Sequence, residues 1–589
     1  MIVELTKRGK LIVGEPYFVP GTPVTVDRKG LGDARPGDLV DITEGRGRAR
    51  VRRVVGPASR IENVMEALLV DEGLREGFEP HEIPQPSLEG RTDFRELTTF
   101  TIDPDTAKDF DDAISVRREG DGVRTWVHIA DVSYFVQPGS PLERGAESRG
   151  NSVYVPGLVA PMLPHELADE ACSLRPNEDR LTVTVEFAPD GTPSFHRSVI
   201  RSRERFTYGQ VQRILDGKEQ HELADDVRLA DRVSADLRRR RFARGALRVE
   251  RPEANFAFDG QGGVERAWLE AEPAAHALIE ELMILANEAV AEFLSSRRRD
   301  SLYRVHEPPE PQSVELMLAK LTDLEVPTPP VPKRKSMAPS EAALLAAAAS
   351  ERVTAYVRKA KRGEEAFPAL VLRALKQAHY DPRNLGHSGL ASTAYTHFTS
   401  PIRRYPDLVV HRALLRELGQ GDDPVPKDLG ALADHTSEHP GMPRHVRHSR
   451  RNEHQIGGTR ATRVARMSER PTISIPDSDP PSDLVIEDET IGDGEEAVAG
   501  KRVYVHYAGV AWSTGKEFDA SWNRGDLFDF RLGAREVIDG WDKGVAGMRV
   551  GGRRRLTIPP HLGYGSRGAG GVIKGGETLV FVVDLVNVR

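Results

Sequence analysis

The chain has 589 residues, of which 29% are charged and 39% hydrophobic, too long for one core and ordinary for a multidomain globular protein. It holds no apolar run long enough to span a bilayer and no apolar signal core at its start, so no membrane partner is expected. One cysteine, Cys172, excludes an internal disulfide and a cysteine-based zinc cluster and fits a reducing cytoplasm, while the net charge of −8 weighs only weakly against nucleic acid.

Residues 1–60 alternate short β-rich runs with Gly/Pro turns: Lys10-Leu-Ile-Val-Gly14, Pro23-Val-Thr-Val26, Asp38-Leu-Val-Asp-Ile42 and Ala49-Arg-Val-Arg-Arg-Val-Val55. This spacing predicts a small β-barrel, and interleaved Lys and Arg suit it to nucleic acid. Residues 61–95 read as a helix and a Pro-containing linker. A large α+β domain is expected over 96–434, opening with strands and continuing with amphipathic helices at 275–296 and 366–379. The alanine tract 342–349 reads as a surface helix.

At the start of that domain stands Thr101-Ile-Asp-Pro-Asp-Thr-Ala-Lys-Asp-Phe-Asp-Asp-Ala113. Asp103, Asp105, Asp109, Asp111 and Asp112 crowd together and repel one another unless cations hold them. Hard carboxylate oxygens suit Mg²⁺ or Mn²⁺, and such ions serve phosphoryl chemistry by steadying the attacking and leaving oxygens. A calcium loop does not fit, because Ala107 stands where a third ligand belongs. Spacing alone leaves an acidic surface turn open. Two basic runs follow, at 238–241 (with Arg244 and Arg248 beyond) and at 297–299.

From 435 to 483 the composition turns basic and then Pro-rich. His435, His439, His445, His448 and His454 match no zinc spacing, so a linker is expected. Residues 484–589 read as a compact β-rich unit, with strands at 503–507, 527–531, 553–558 and 578–585 and a short helix at 537–545.

Two resemblances sharpen this reading. The acidic block, Val127-His-Ile-Ala-Asp-Val132, Arg149-Gly-Asn-Ser-Val-Tyr-Val-Pro156, Pro161-Met-Leu-Pro164, Cys172-Ser-Leu-Arg175, Tyr303-Arg-Val-His-Glu307 and His397-Phe-Thr-Ser-Pro-Ile-Arg-Arg-Tyr-Pro-Asp407 together resemble the catalytic (RNB) domain of the ribonuclease II and ribonuclease R family. The resemblance implies a Mg²⁺-dependent (Mn²⁺ as the alternative ion), processive 3′→5′ exoribonuclease that hydrolyses single-stranded RNA to nucleoside 5′-monophosphates. It assigns Asp103 and Asp112 as direct metal ligands, Asp109 as a supporting or second-ion ligand and Asp111 as the most rate-critical carboxylate. Arg403 would contact the scissile phosphate and Tyr154 would stack on the 3′-terminal base. Asp105 falls outside this set, and His128, His306, His387 and His397 are expected to be structural. The family's tandem cold-shock barrels and trailing S1 barrel are not both matched: one front barrel is expected here and no S1-like segment, which would weaken the grip on RNA.

Val505-His-Tyr-Ala-Gly509, Gly515-Lys-Glu-Phe-Asp519, Val537-Ile-Asp-Gly-Trp541, Gly563-Tyr-Gly565 and Thr578-Leu-Val-Phe581 resemble an FKBP-type peptidyl-prolyl isomerase. That implies a pocket for proline-containing polypeptides lined by Tyr507, Phe518, Asp519, Phe528, Val537, Ile538, Trp541, Tyr564, Ile573 and Phe581. The fold class expected is therefore multidomain α+β: a small N-terminal OB/cold-shock-like β-barrel (1–60), a helical linker (61–95), a large α+β RNB domain (96–434), a basic and Pro-rich linker (435–483) and a C-terminal antiparallel sheet with a short helix (484–589). Two alternatives stay open. One is an inert RNA-binding regulator with an FKBP folding or docking module. The other is two proteins joined by a frameshift near 438–466, since Met467-Ser-Glu-Arg opens a stretch that could stand alone.

Overall fold

The computed structural model describes residues 1–438 and 479–588, together with 473 and 475, apart from short stretches at 10, 20, 44–47, 75–76, 156, 249–253, 259–263, 270–272, 331–336, 365, 491, 493–494, 522–526 and 570–572. The chain forms two compact units, Met1–Ser449 and Arg450–Arg589. Most of the expected 435–483 linker, with His439, His445, His448 and His454, lies outside the described residues.

The first unit opens with a five-stranded antiparallel sheet in the order Val24–Thr25, Leu11–Pro16, Ile2–Arg8, Asp38–Thr43, Arg50–Pro57. Period-two alternation turns Val3, Leu5, Val13, Val40 and Ile42 into one core. The expected barrel is corrected: among the described residues no closed barrel forms, and the two edges meet only at one parallel bridge, Val26 with Ala49. The reason is local. Pro23 has no N–H to donate, and the edge strand that follows it is two residues long. Ile2–Arg8, which the sequence reading left unassigned, is the central strand. Helix Ile61–Asp71 covers this sheet with Ala67 and Val70 against Ile2 and Leu39.

A seven-stranded mixed sheet follows, ordered Glu204–Thr207, Thr99–Asp103, Asp112–Glu119, Gly122–Ala130, Asp179–Phe187, Pro193–Arg201, Thr92–Asp93. One face is apolar. Phe100, Ile114, Val127, Ile129, Val183 and Val185 pack against helices Ala224–Ala243 and Pro273–Ser296. The alternate positions form a buried polar layer: His128 Nδ1 lies 2.7 Å from Thr184 Oγ1 and its Nε2 3.1 Å from Ser115 Oγ. Burial pushes the His128 imidazole down to about 3, so it is neutral there.

A second core joins Phe110, Ala130, Phe135, Met162 and Leu163 to Ile402, Tyr405 and Leu408. Helix Pro339–Ala360 corrects another expectation. Ala342, Ala346, Ala347 and Ala349 are buried, most of them in a separate core with Val314, Met317 and Leu318, so the tract is an interior face whose small side chains let helices approach closely. His435 belongs to helix Leu429–Glu438, with Nε2 2.9 Å from the Glu147 carbonyl, so the ordered domain runs past the expected start of the linker.

The second unit is a six-stranded antiparallel sheet in the order Val485–Thr490, Arg553–Ile558, Leu579–Val588, Arg502–Ala511, Glu517–Ala520, with Phe528–Arg531 also pairing Arg502–Ala511. Helix Asp539–Gly544 packs closely on strand Arg553–Ile558: a Cβ at Gly540 would run into Ile558 Cγ2, and one at Gly544 would stand 2.7 Å from Leu556 Cδ2.

In the first unit, Asp131 locks the domain's entry segment to the sheet. Its Oδ2 accepts from Arg91 Nη2 at 2.7 Å and Arg197 Nε at 2.8 Å, and its Oδ1 from Ser133 Oγ at 2.6 Å. Burial alone would raise this carboxyl, but Arg197 and Arg91 overcome it and hold it at about 2. Asp131→Asn should cost about 2–3 kcal/mol at neutral pH by stranding two guanidinium groups, the size that the shift from 3.8 to about 2 implies. The wild-type contribution is full above the ordinary value of 3.8 and vanishes as pH falls through about 2. Urea midpoints of both proteins across that range check this, and a gap that persists at pH 2 would contradict it.

Candidate active site

The ladder that pairs Thr99 with Ser115 and Phe100 with Ile114 runs antiparallel. Asp103, the last residue of one strand, and Asp112, the first of the next, therefore stand at the same end of the sheet. The turn between them carries Asp109 and Asp111 and leaves Asp105 exposed. The Asp111 backbone carbonyl accepts from Ala130 N at 2.9 Å. Its buried carboxylate reaches across the chain: Oδ1 accepts from Ile402 N–H at 2.9 Å, and Oδ2 lies 3.5 Å from Arg403 Nε. Arg403 Nη2 donates to Ser400 Oγ at 3.1 Å.

Two adjacent arginines are told apart by this arrangement. Arg404 is committed to Asp407 through bonds of 2.9 and 2.7 Å, and Asp407 Oδ1 also accepts from Ser400 N at 2.8 Å. Arg403 faces the aspartates instead, its side chain 47% exposed. Its carbonyl accepts from Ser152 N at 2.9 Å, which ties the hairpin of Val153–Val155 and Leu158–Ala160 to the same loop. Tyr154 sits on that hairpin, 53% exposed, with its hydroxyl donating to Asp109 Oδ2 at 3.4 Å. Asp103, Asp109, Asp111, Asp112, Arg403 and Tyr154 thus belong to one locality, although they come from three separated stretches of sequence.

The aspartates are poorly neutralised. Burial, then the charge of Asp112, raises Asp103 to about 8. Burial raises Asp112 to about 6 against the pull of Arg403 and Arg404. Burial also lifts Asp109, and lifts Asp111 well above the usual range despite Arg403. Asp103 Oδ2 is buried without a hydrogen-bond partner among the described residues. An orphaned hard oxygen beside a carboxyl pair that holds on to its protons fits a divalent cation. No three His, Cys, Asp or Glu side chains among the described residues already form a cage. An ion of the Mg²⁺ type takes one or two carboxylates and completes its shell with water and substrate phosphate. Asp103 and Asp112 could supply that pair, with Asp109 beside them.

Supporting residues that the sequence reading did not single out are Ser173, Arg205, Ser400 and Asp407. Arg205 donates from Nη2 to the Pro104 carbonyl and lies 5.4 Å from the Phe110 ring centroid. Three of these four fall inside or at the edge of the quoted sequence blocks, the one available signal. The histidines are tied up locally: His397 Nδ1 lies 2.6 Å from Tyr380 OH, and His306 Nε2 2.9 Å from the Lys376 carbonyl.

In the second unit an aromatic cluster gathers most of the expected pocket. Trp541 stands edge-on to Tyr507 at 5.0 Å, Phe581 at 5.3 Å and Phe528 at 5.7 Å, and Phe518 meets Phe581 at 5.5 Å. Ile573 is buried with them, while Val537 and Ile538 pack on their margin. Tyr507 OH donates to Asp519 Oδ2 at 2.5 Å. Tyr564 is 41% exposed, with burial and then the Asp519 charge raising its hydroxyl.

Residues 91–420 match the RNB domain family, and residues 493–586 match the FKBP-type peptidyl-prolyl cis-trans isomerase family. Ribonuclease R of Escherichia coli (strain K12) is 39% identical over 344 residues, covering 56% of this chain and 41% of that protein. Ribonuclease R of Aquifex aeolicus (strain VF5) is 37% identical over 372 residues, covering 60% and 50%. The chain thus spans half or less of these relatives' length. The structure of Mycoplasma genitalium RNase R in complex with double-stranded RNA superposes with a TM-score of 0.64 at 26% identity, covering 74% of this chain and 82% of that one. Yeast Ssd1, a pseudonuclease, shares the fold alone, with a TM-score of 0.56 at 17% identity and 95% and 67% coverage.

The raised Asp103 carboxyl makes the metal-free protein sensitive to pH. The unfolded chain releases this proton above about 3.8, whereas the folded chain keeps it to about 8. Stability therefore falls as pH rises between those values. In EDTA, Asp103→Asn should melt higher than wild type at pH 7, with the gap closing towards pH 4. Thermal melts across that range check it, and a variant that melts lower at pH 7 would contradict it.

Proposed function

The chain belongs to the RNB-domain family of ribonuclease R and ribonuclease II and carries an FKBP-type segment near its C-terminus. From that premise we propose that residues 96–434 form a Mg²⁺-dependent 3′→5′ exoribonuclease that hydrolyses single-stranded RNA to nucleoside 5′-monophosphates. Residues 484–589 form a peptidyl-prolyl cis-trans isomerase acting on proline-containing polypeptides. Residues 1–60 act as an RNA-gripping module, 61–95 as a helical linker and 435–483 as a basic spacer, and the protein works in the cytoplasm. The observation that carries the nuclease reading is the Asp111 carboxylate bonded to Ile402 N–H beside Arg403, 291 residues away in sequence. It unites the acidic block with the arginine block.

Asp103 and Asp112, with Asp109 in support, would hold Mg²⁺, and Mn²⁺ has the same hard-oxygen chemistry. A bound divalent ion lowers the pKa of water and offsets charge on a phosphoryl oxygen. The remaining work falls to the chain. The Arg403 guanidinium presents a planar fork to two phosphate oxygens and offsets charge that grows on them. Asp111 fixes the direction of that fork through Nε and is itself fixed by Ile402 N–H. The exposed Tyr154 ring accepts a terminal base by stacking, which is sequence-tolerant and contributes about 1–3 kcal/mol per base. A strand stepping through the site needs such sequence-blind grip.

Isomerisation requires no acid, base or metal. Rotation about the peptide bond meets a barrier of about 18–20 kcal/mol for an ordinary amide. The cup of Tyr507, Trp541, Phe528 and Phe581 desolvates the prolyl bond, and Asp519 holds the Tyr507 hydroxyl in place.

An inert RNA-binding regulator is the alternative reading, since Asp103, raised to about 8, keeps its proton at neutral pH unless a cation displaces it. One assay separates the two. Single-stranded RNA labelled at its 5′ end should release mononucleotides with Mg²⁺ and remain intact in EDTA, and no release under either condition would overturn the nuclease reading. Asp111→Asn keeps an oxygen for Ile402 N–H but loses the charge beside Arg403. Decay should fall by at least about 100-fold while RNA binding holds. Tyr507→Ala or Phe581→Ala should slow isomerisation of a proline peptide and leave RNA decay unchanged, and loss of both activities would show that the two functions are coupled.

A further inference from the structure

The turn that carries Asp109 and Asp111 is irregular, and something must hold its backbone. Ser173 does so from below. Its side chain lies within the protein, with no exposed surface. Its Oγ accepts from Phe110 N–H at 3.1 Å and donates to the Lys108 carbonyl at 2.7 Å. The hydroxyl therefore grips the main chain on both sides of Asp109. Next to it, Leu174 N–H donates to the Phe110 carbonyl at 3.0 Å. Both residues of this brace follow directly from the π-helical turn Glu166–Ala171, whose Cys172 N–H donates back to the Leu167 carbonyl at 2.9 Å. Wide turns of this kind are uncommon inside proteins and recur at functional sites. On the opposite flank, Arg205 holds the Pro104 carbonyl and covers the Phe110 ring.

We infer that Ser173 is a positioning residue of the nuclease site: its hydroxyl fixes the backbone on either side of Asp109 and so sets where the Asp109 and Asp111 carboxylates stand relative to Arg403. The inference rests on the exoribonuclease reading given above. Side chains one and two residues away from a doubly bonded backbone have little freedom to drift. Release of both bonds leaves the buried Phe110 N–H without this partner and frees the Lys108 carbonyl, and the turn must shift to satisfy the N–H. A displacement near 1 Å is enough to cost about 100-fold in rate when reacting groups must be aligned.

The test uses the full chain and three variants. Ser173→Ala removes both bonds. Ser173→Cys keeps nearly the same volume, but a thiol is a weak donor and acceptor, so it separates the bonds from the cavity. Ser198→Ala is the matched control, since its buried hydroxyl lies 2.8 Å from Thr182 Oγ1 and 2.7 Å from Thr184 Oγ1 in the polar layer. For each, kcat and KM are measured on single-stranded RNA, and Mn²⁺ binding is measured separately by electron paramagnetic resonance of the free ion. Both Ser173 variants should lose about 10- to 100-fold in kcat with KM unchanged, and should bind Mn²⁺ several-fold more weakly. Ser198→Ala should lower the melting temperature by a similar amount and leave kcat and Mn²⁺ affinity at wild-type values. Wild-type kcat and Mn²⁺ affinity in either Ser173 variant, or an equal loss in Ser198→Ala, would overturn the inference. Should the wild type release no mononucleotide while Ser173→Ala still weakens Mn²⁺ binding, the exoribonuclease reading fails and the brace stands.

Discussion

A single buried carboxylate joins two segments that lie 291 residues apart: Asp111 accepts the Ile402 amide proton and sets Arg403 beside itself. Much of the first unit can be read as support for that contact. The second core buries Phe110 and Ile402 together, so the residues before and after the contact are pulled into the same apolar interior. Asp407 occupies Arg404 and the Ser400 amide, which leaves Arg403 as the guanidinium turned towards the aspartates. Ser152 binds the Arg403 carbonyl and brings Tyr154 to the same place. One charged contact, supported from three directions, turns a run of aspartates into a site.

The electrostatics follow from burial. Four carboxyl groups are drawn into low dielectric with one half-exposed guanidinium facing them, and the protein answers by raising their proton affinity. Such an arrangement should weaken the fold in the absence of a cation. Asp131 shows the opposite outcome of the same physics. Two arginines at hydrogen-bond distance outweigh its burial and keep it charged. The contrast separates a carboxylate held charged by its partners from carboxyls left to keep their protons, because burial is common to both.

Much of this was legible in the sequence, and the reasons for the rest are physical. The aspartate spacing was visible because like charges rarely cluster without cause. Strands such as Arg553–Ile558 were visible because alternation and β-branched residues mark them. The first strand, Ile2–Arg8, was missed although it pairs with the adjacent Leu11–Pro16, because Glu4, Lys7 and Arg8 break up its apolar run. The alanine tract was misread because alanine reports helix propensity and says little about burial, which its neighbours decide. Barrel closure could not be read from strand count, since it depends on whether the two-residue edge Val24–Thr25 meets the far edge over more than one bridge. Ser173 stands inside the quoted block Cys172-Ser-Leu-Arg175, but nothing in that block says what its hydroxyl binds. Its importance lies in two bonds to a loop 63 and 65 residues earlier.

The two units bring different chemistry to one chain. One concentrates charge, and the other concentrates aromatic surface around Trp541 with a single carboxylate, Asp519, tied to a tyrosine hydroxyl. In the proposed nuclease site of the first, Asp111 and Arg403 act as one device. A double-mutant cycle in kcat for RNA decay, with Asp111→Asn, Arg403→Gln and the pair combined, tests it most directly. The double variant should be no slower than the slower single one. Losses that multiply, as for two independent residues, would contradict it.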